Sequence, residues 1–380
     1  MYENQTQTNW DYTMKKLSIA SVLALLVGST PFALGAHHES TEHGKGSTFK
    51  YVELNQIGDP AKVLEVKEGV SRPLKNGEVR VKVLAAPIHP SNVLQIAGKY
   101  LTLPVLPSTP GSEGVGQVIE TSPEVANLTE GQLVLLAGVG TWREEIVAPA
   151  ARLIPLPDLG KPSMAVIEQL SMSTINPLSA LLMLTSYVDL KEGDWIVQSA
   201  SNSAVGGYLI QLAKQRGIKT INVVRREGLA EDLMSKGADV VLINGPDLVK
   251  EIANATNNAP VVLAIDAVGG ETFTRLSESL GEGGTLVSYG LLSGKSPIFN
   301  PGIAIGKDIR IRGFWLTKWF QTAAMPEQQA AFGQIIPLIA NGSLKANVDS
   351  RFTVAEIKKA VTRAAQRGRN GKVLIVPNAN

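Results

Sequence analysis

Six short apolar runs, set at intervals between about residues 169 and 315, constrain this chain more than any other feature. They are Trp195–Ser199, Thr220–Val224, Val240–Ile243, Val261–Asp266, Thr285–Tyr289 and Ile309–Phe314, with helix-like stretches between them. Runs of this length and apolarity are strands covered on both faces. Strands that alternate with helices predict an α/β class, with one doubly wound parallel sheet.

The flanks follow another pattern. From Phe49 to about Pro157, short β-rich runs such as Val79–Val83, Gly116–Ile119 and Gln132–Leu136 are broken by glycine, proline and asparagine turns, which predicts a compact β-barrel-like domain. Two helical patterns follow the sheet region, Glu327–Ala340 and Ala355–Gln366, and a final strand Val373–Val376 is expected to return to the first domain. The expected partition is residues 48–170 with 318–380 for the β-rich domain, and 171–317 for the parallel sheet. A chain of 380 residues with 44% apolar side chains can bury both cores.

Composition narrows the chemistry. Thirty-six Lys and Arg against 34 Asp and Glu leave no basic surplus, so a nucleic-acid partner is not expected. The absence of cysteine removes disulfides, thiol nucleophiles and thiolate zinc sites. His37, His38 and His43 share one polar segment and only His89 lies in the patterned chain, so no metal is expected. In front of the fold, Met14-Lys15-Lys16, the apolar run Leu17–Val27 and the small residues Ala33–Ala36 form a signal-peptide pattern within residues 1–36. Residues 37–47 are an expected linker. That pattern predicts an exported or periplasmic protein, or a cytoplasmic one if the segment does not function. Its apolar run is too short to span a bilayer.

One turn carries a first chemical signal. Strand Trp195–Ser199 runs through Ala200-Ser201-Asn202-Ser203-Ala204-Val205 to Gly206-Gly207 and into a helix ending near Gly217. Small residues there let backbone amides approach a pyrophosphate at a helix N-terminus. Ser201 and Ser203 hold the first two glycine places of G-x-G-x-x-G, and Gly206 holds the third. The next strand ends at Arg225-Arg226, where an NAD site would place an acidic residue for the ribose 2′-hydroxyl. Two guanidiniums suit a 2′-phosphate instead, which points to NADPH.

With that layout the chain resembles the medium-chain dehydrogenase/reductase superfamily, which implies a GroES-like β-barrel catalytic domain, an inserted Rossmann domain and a homodimer. Zinc-dependent members carry Gly-His-Glu in the first domain; here the run is Gly111-Ser112-Glu113-Gly114. Longer strings resemble the mitochondrial-type trans-2-enoyl-thioester reductases. They are His89–Gln95, Gly98–Pro104, Gly140–Glu144, Asn176-Pro177, Asn202–Gly206, Ile221–Arg225 and Gly313–Trp319. The resemblance implies NADPH-dependent reduction of the C=C bond of α,β-unsaturated carbonyl compounds, most specifically enoyl thioesters, with Tyr100 as proton donor. It implies cofactor contacts from Asn176, from Asn202, Ser203, Ala204, Val205 and Gly206, and from Arg225 and Arg226. Further contacts fall on Tyr289, Gly290, Leu291 and Leu292, on Phe314, Trp315, Leu316 and Thr317, and on Lys372. Gly371-Lys372-Val373 also resembles quinone reductases, so a quinone or enal reductase stays open, as does a non-catalytic NADPH-binding protein.

The roles make physical sense. Hydride attack on the β-carbon leaves charge on the thioester oxygen and a proton demand at the α-carbon, which a neutral tyrosine hydroxyl can meet. Asn176 before Pro177 fits a helix cap as well as a cofactor contact. Trp142, Trp315 and Trp319 fit core packing, and His89 before Pro90 fits a structural histidine. Glu113 is expected to pair locally and receives no role.

Overall fold

The computed structural model describes residues 46–366 and 368–377; the expected signal segment and nearly all of the expected linker lie outside the described residues. The six predicted strands form one sheet with bounds Trp195–Gln198, Lys219–Val224, Val240–Ile243, Val261–Asp266, Leu280–Ser288 and Arg310–Gly313. Numbered within this sheet, their spatial order is third, second, first, fourth, fifth, sixth, and every neighbouring pair is parallel. The order reverses between the first and fourth strands, so their carboxyl ends open a crevice at the switch point.

Both faces of the sheet are covered, as the apolar runs require. Ile196, Leu263 and Ile265 pack in one core with Tyr208, Leu209 and Leu212 of the helix Ala204–Gln215. Val197, Ile221, Val223 and Ala264 pack in another with Leu248, Ile252, Phe273 and Leu276. The first of these cores continues into the β-rich domain through Ala85, Val115 and Leu135, and includes Leu178–Leu182 and Ile335–Ile339. Apolar burial therefore joins the two parts across the base of the crevice.

In the β-rich domain, strand Glu78–Pro87 pairs antiparallel with Glu113–Thr121, Glu145–Pro149 and the returning strand Lys372–Ile375. Strands Leu133–Ala137 and Leu153–Pro155 extend this sheet, and Val348–Phe352 lies parallel to Lys372–Ile375. A hairpin of Thr48–Leu54 with Leu64–Val70 packs beside it. The pairing brings three strand ends together: the end of Glu78–Pro87, the start of Glu113–Thr121 and the start of Lys372–Ile375. Trp142 is fully buried in this domain, in keeping with its packing role.

Candidate active site

The turn that follows the first strand is built as the spacing predicts, with a shift in its details. Ser203 caps the helix, its hydroxyl accepting from the Gly206 amide at 3.1 Å. A Cβ on Gly206 would stand 2.4 Å from the Ser201 carbonyl oxygen, so only glycine allows this approach of helix to strand. The left-handed residue of the turn is Ala200, with φ +50°, and not Ser201. Ser201 instead turns its hydroxyl back to the carbonyls of Gln198 and Val223. Asn202 is exposed and Ala204 and Val205 are partly so. Asn202, Ser203, Ala204 and Gly207 line a cleft whose opposite wall is Lys345, Ala346, Asn347, Asn370 and Gly371 of the returning segment. Of that wall only Gly371, in the string Gly371-Lys372-Val373, carried a sequence signal; the fold supplies the rest.

Arg225 and Arg226 sit just past the end of the second strand, exposed and without an ion pair or side-chain hydrogen bond among the described residues. Tyr289, just past the fifth strand, touches the Ser203 hydroxyl, and burial raises its own hydroxyl above the usual tyrosine range. Gly290 packs against the Ala267 backbone, and Leu291 and Leu292 are exposed, 54% and 58% respectively. Buried Asp266 ties the fourth strand to the first: it accepts from the Ser199 hydroxyl at 2.7 Å and from the amides of Val268 and Gly269. Sequence reasoning missed this carboxylate, although its position at the end of an apolar run marked it.

Buried polar atoms without partners are places where a ligand or a water can complete the hydrogen bonding. Among the described residues, those atoms include Asn176 Nδ2, Trp315 Nε1, Gln198 Oε1 and the Tyr208 hydroxyl. Asn176 is the first residue of helix Asn176–Thr185, with Ile175 at the cap, so the capping alternative falls away and its amide is left to donate elsewhere. Trp315 caps Leu316–Thr322 only through its backbone, and Phe314 donates its amide to the Ser288 carbonyl at 2.9 Å. Leu316 and Thr317 begin that helix, partly buried. Trp319 packs edge-on against Phe320 and donates to Glu327 at 3.2 Å, a structural placement. A buried amide, a buried indole, a close-approach glycine and two free guanidiniums together fit a phosphorylated dinucleotide.

Tyr100 follows the helix Pro90–Ile96 in a loop held by the Lys99 amide donating to Leu94. It is partly buried and its hydroxyl has no partner among the described residues. Leu101, Leu103 and Val105 beside it are exposed. Glu113 departs from the expectation of local pairing. It is fully buried and bonds His89, 24 residues away, and Thr174, 61 residues away, while Ser112 accepts from Asn92 at 2.5 Å. Lys372 is buried with its Nζ on His89. His89 is thus interior, as its structural reading expects. No three metal-ligating side chains converge among the described residues, and no helix among them is long and apolar enough to cross a membrane.

Comparison with known proteins agrees with this geometry. Residues 75–158 match the alcohol dehydrogenase GroES-like domain, and residues 204–333 match the zinc-binding dehydrogenase family. The mitochondrial enoyl-acyl-carrier-protein reductase of Rattus norvegicus is 37% identical over 312 residues, covering 80% of this chain and 82% of the relative. That of Dictyostelium discoideum is 35% identical over 341 residues, covering 87% and 95%. Among solved structures, the Etr1p complex with NADP and crotonyl-CoA superposes with a TM-score of 0.79 at 29% identity, covering 87% of this chain and 100% of that one. A protein described as an NADPH:quinone reductase from Bacillus thuringiensis gives 0.78 at 30% identity, covering 87% and 99%. These comparisons overturn the exported, periplasmic or cytoplasmic expectation, since the relatives in rat, human, Dictyostelium and Arabidopsis are mitochondrial enzymes. The physical reason bears on export alone: a reductase that consumes a reduced dinucleotide at each turnover works inside a compartment where that pool is regenerated.

Proposed function

This chain belongs to the medium-chain dehydrogenase/reductase superfamily, together with the mitochondrial-type enoyl reductases, and on that premise we propose that it is an NADPH-dependent, zinc-independent oxidoreductase acting on trans-2-enoyl thioesters. NADPH, when bound, supplies a hydride to the substrate β-carbon. Asn176 donates its buried amide to the nicotinamide end, and Arg225 and Arg226 grip the 2′-phosphate at the other. The Ser203–Gly206 turn presents amides to the pyrophosphate between them. Lys372 and the Tyr289–Leu292 and Phe314–Thr317 segments complete the crevice walls. Tyr100 donates a hydrogen bond to the developing enolate oxygen and delivers a proton to the α-carbon. Leu101, Leu103 and Val105 offer the acyl chain an apolar surface beside it.

The observation that carries this reading is the buried side-chain amide of Asn176, which has no partner among the described residues. Supplying NADPH with crotonyl thioester, phenanthrenequinone and a simple enal to one preparation tests it: the thioester is the preferred acceptor, and turnover of the quinone alone would overturn the substrate assignment. The quinone reading rests on Gly371-Lys372-Val373 and on the Bacillus structure. A homodimer through the exposed edge strand Arg310–Gly313, flanked by exposed Ile298 and Ile305, fits the same family and is checked by sedimentation.

A further inference from the structure

The three strand ends that meet below the crevice carry ionisable side chains that neither the phosphate turn nor Tyr100 uses. Glu113 Oε2 accepts from the Thr174 amide at 2.8 Å and from its hydroxyl at 2.7 Å. Glu113 Oε1 lies 2.7 Å from His89 Nε2, and His89 Nδ1 lies 2.9 Å from Lys372 Nζ. Glu113, His89 and Lys372 are 0%, 3% and 6% exposed. An ammonium has donors only, so His89 Nδ1 accepts from Lys372 and Nε2 carries the ring proton given to Glu113. The chain is therefore a carboxylate and an ammonium bridged by a neutral imidazole. Burial and the Lys372 cation hold the imidazole below its usual range, so it stays neutral. Burial also holds Lys372 down to about 8, with Arg369 pushing the same way and Glu113 opposing. The buried Tyr208 hydroxyl also faces Glu113, whose charge pushes it further above the usual tyrosine range.

One end of this chain adjoins the cleft, and the other lies close in sequence to a buried amide. Thr174 stands two residues before Asn176, whose amide has no partner. Gly371, immediately before Lys372, lines the cleft opposite the phosphate turn. It has φ +127° and would place a Cβ 2.3 Å from the Asn347 carbonyl oxygen, so the strand enters at one fixed angle. Lys372 spends one N–H on His89 and has no second side-chain acceptor among the described residues. Two N–H groups of a buried ammonium are thus free for a ligand.

We propose that Glu113 and His89 are positioning residues: they hold the Lys372 ammonium oriented and charged for an oxygen acceptor of the dinucleotide lying in the crevice. This rests on the reading of that crevice as an NADPH site. Removing the carboxylate charge while keeping its shape, as in Glu113→Gln, leaves the ammonium without its counter-charge. Lys372 then loses its proton at lower pH, and the grip on the cofactor goes with it.

The test is calorimetric titration of NADPH, and of NADH as a control lacking the 2′-phosphate, into the unmodified protein, Glu113→Gln and Lys372→Met. In the unmodified protein, affinity for both dinucleotides falls as pH rises through about 8, and binding there takes up protons, seen as a buffer-dependent enthalpy. Glu113→Gln moves that midpoint down by about one pH unit, and Lys372→Met removes both the midpoint and the proton uptake while weakening binding about tenfold near neutrality. A merely structural role would lower thermal stability and leave the midpoint in place. An unmoved midpoint in Glu113→Gln, or unmodified-protein binding without proton uptake near pH 8, overturns the proposal; the second measurement needs no variant to fold. If NADPH fails to bind the unmodified protein, the cofactor reading and this inference fall together. If it binds and the midpoint does not move, only the positioning role falls.

Discussion

At the floor of the crevice Glu113, His89 and Lys372 are nearly sealed from water and each is answered by a neighbour, whereas at the rim Arg225 and Arg226 stand in solvent with no partner among the described residues. The floor carries opposite charges that the chain neutralises within itself, because an uncompensated buried ion is costly. The rim carries like charges that water screens cheaply, so two adjacent guanidiniums can be kept free for an anionic ligand. Charges of the first kind pay in folding and those of the second in recognition, so substitutions in the two places should be read by different measurements.

Glu113→Leu separates them most strongly. It leaves the Lys372 ammonium buried without its carboxylate, and the expected loss is about 3–5 kcal/mol of stability in urea unfolding near neutrality. Lys372 has its folded pKa lowered to about 8 from 10.5, so the unfolded chain binds the extra proton between these values and stability rises with pH across that window. The Glu113→Leu deficit should accordingly shrink at alkaline pH; a pH-independent deficit would mean that cavity formation, not charge, is responsible.

Replacing both Arg225 and Arg226 by alanine should act in the opposite sense. NADPH binding weakens by about 1.5–3 kcal/mol, NADH binding is unchanged, and thermal stability stays within about 0.5 kcal/mol. Equal losses for both dinucleotides would show that the pair does not read the 2′-phosphate. Gly206→Ala sits between the two regions: its Cβ meets the Ser201 backbone, so a cost of about 1–3 kcal/mol in stability should be accompanied by weaker NADPH binding. The smallest effect is expected at Ala200→Gly, where relief of the left-handed φ of +50° stabilises by no more than about 1 kcal/mol and leaves cofactor affinity alone.

How far each region could be read in the sequence follows from the same difference. The rim is local: strand, turn, helix and Arg225-Arg226 lie within one short stretch, and the apolar runs gave all six sheet strands to within a few residues because burial on both faces leaves them no polar alternation. The floor is non-local. Lys372 meets His89 across 283 residues, and no spacing rule connects them. In the sequence, Lys372 stood out only through the family resemblance and Glu113 only through the altered Gly111-Ser112-Glu113-Gly114 run, and neither signal joined the two. The left-handed conformation of the turn falls on Ala200, and the Ser201 hydroxyl beside it folds back onto two carbonyls, details that the glycine spacing does not carry.

Single-turnover oxidation of bound NADPH by crotonyl thioester, with the unmodified protein and Tyr100→Phe compared side by side, decides whether this crevice reduces enoyl thioesters through Tyr100. One equivalent of saturated thioester per equivalent of NADPH is expected, with a rate lowered by about 10²–10⁴ in the variant while NADPH affinity holds. No thioester reduction by the NADPH-loaded protein, or an equal rate in Tyr100→Phe, would contradict it.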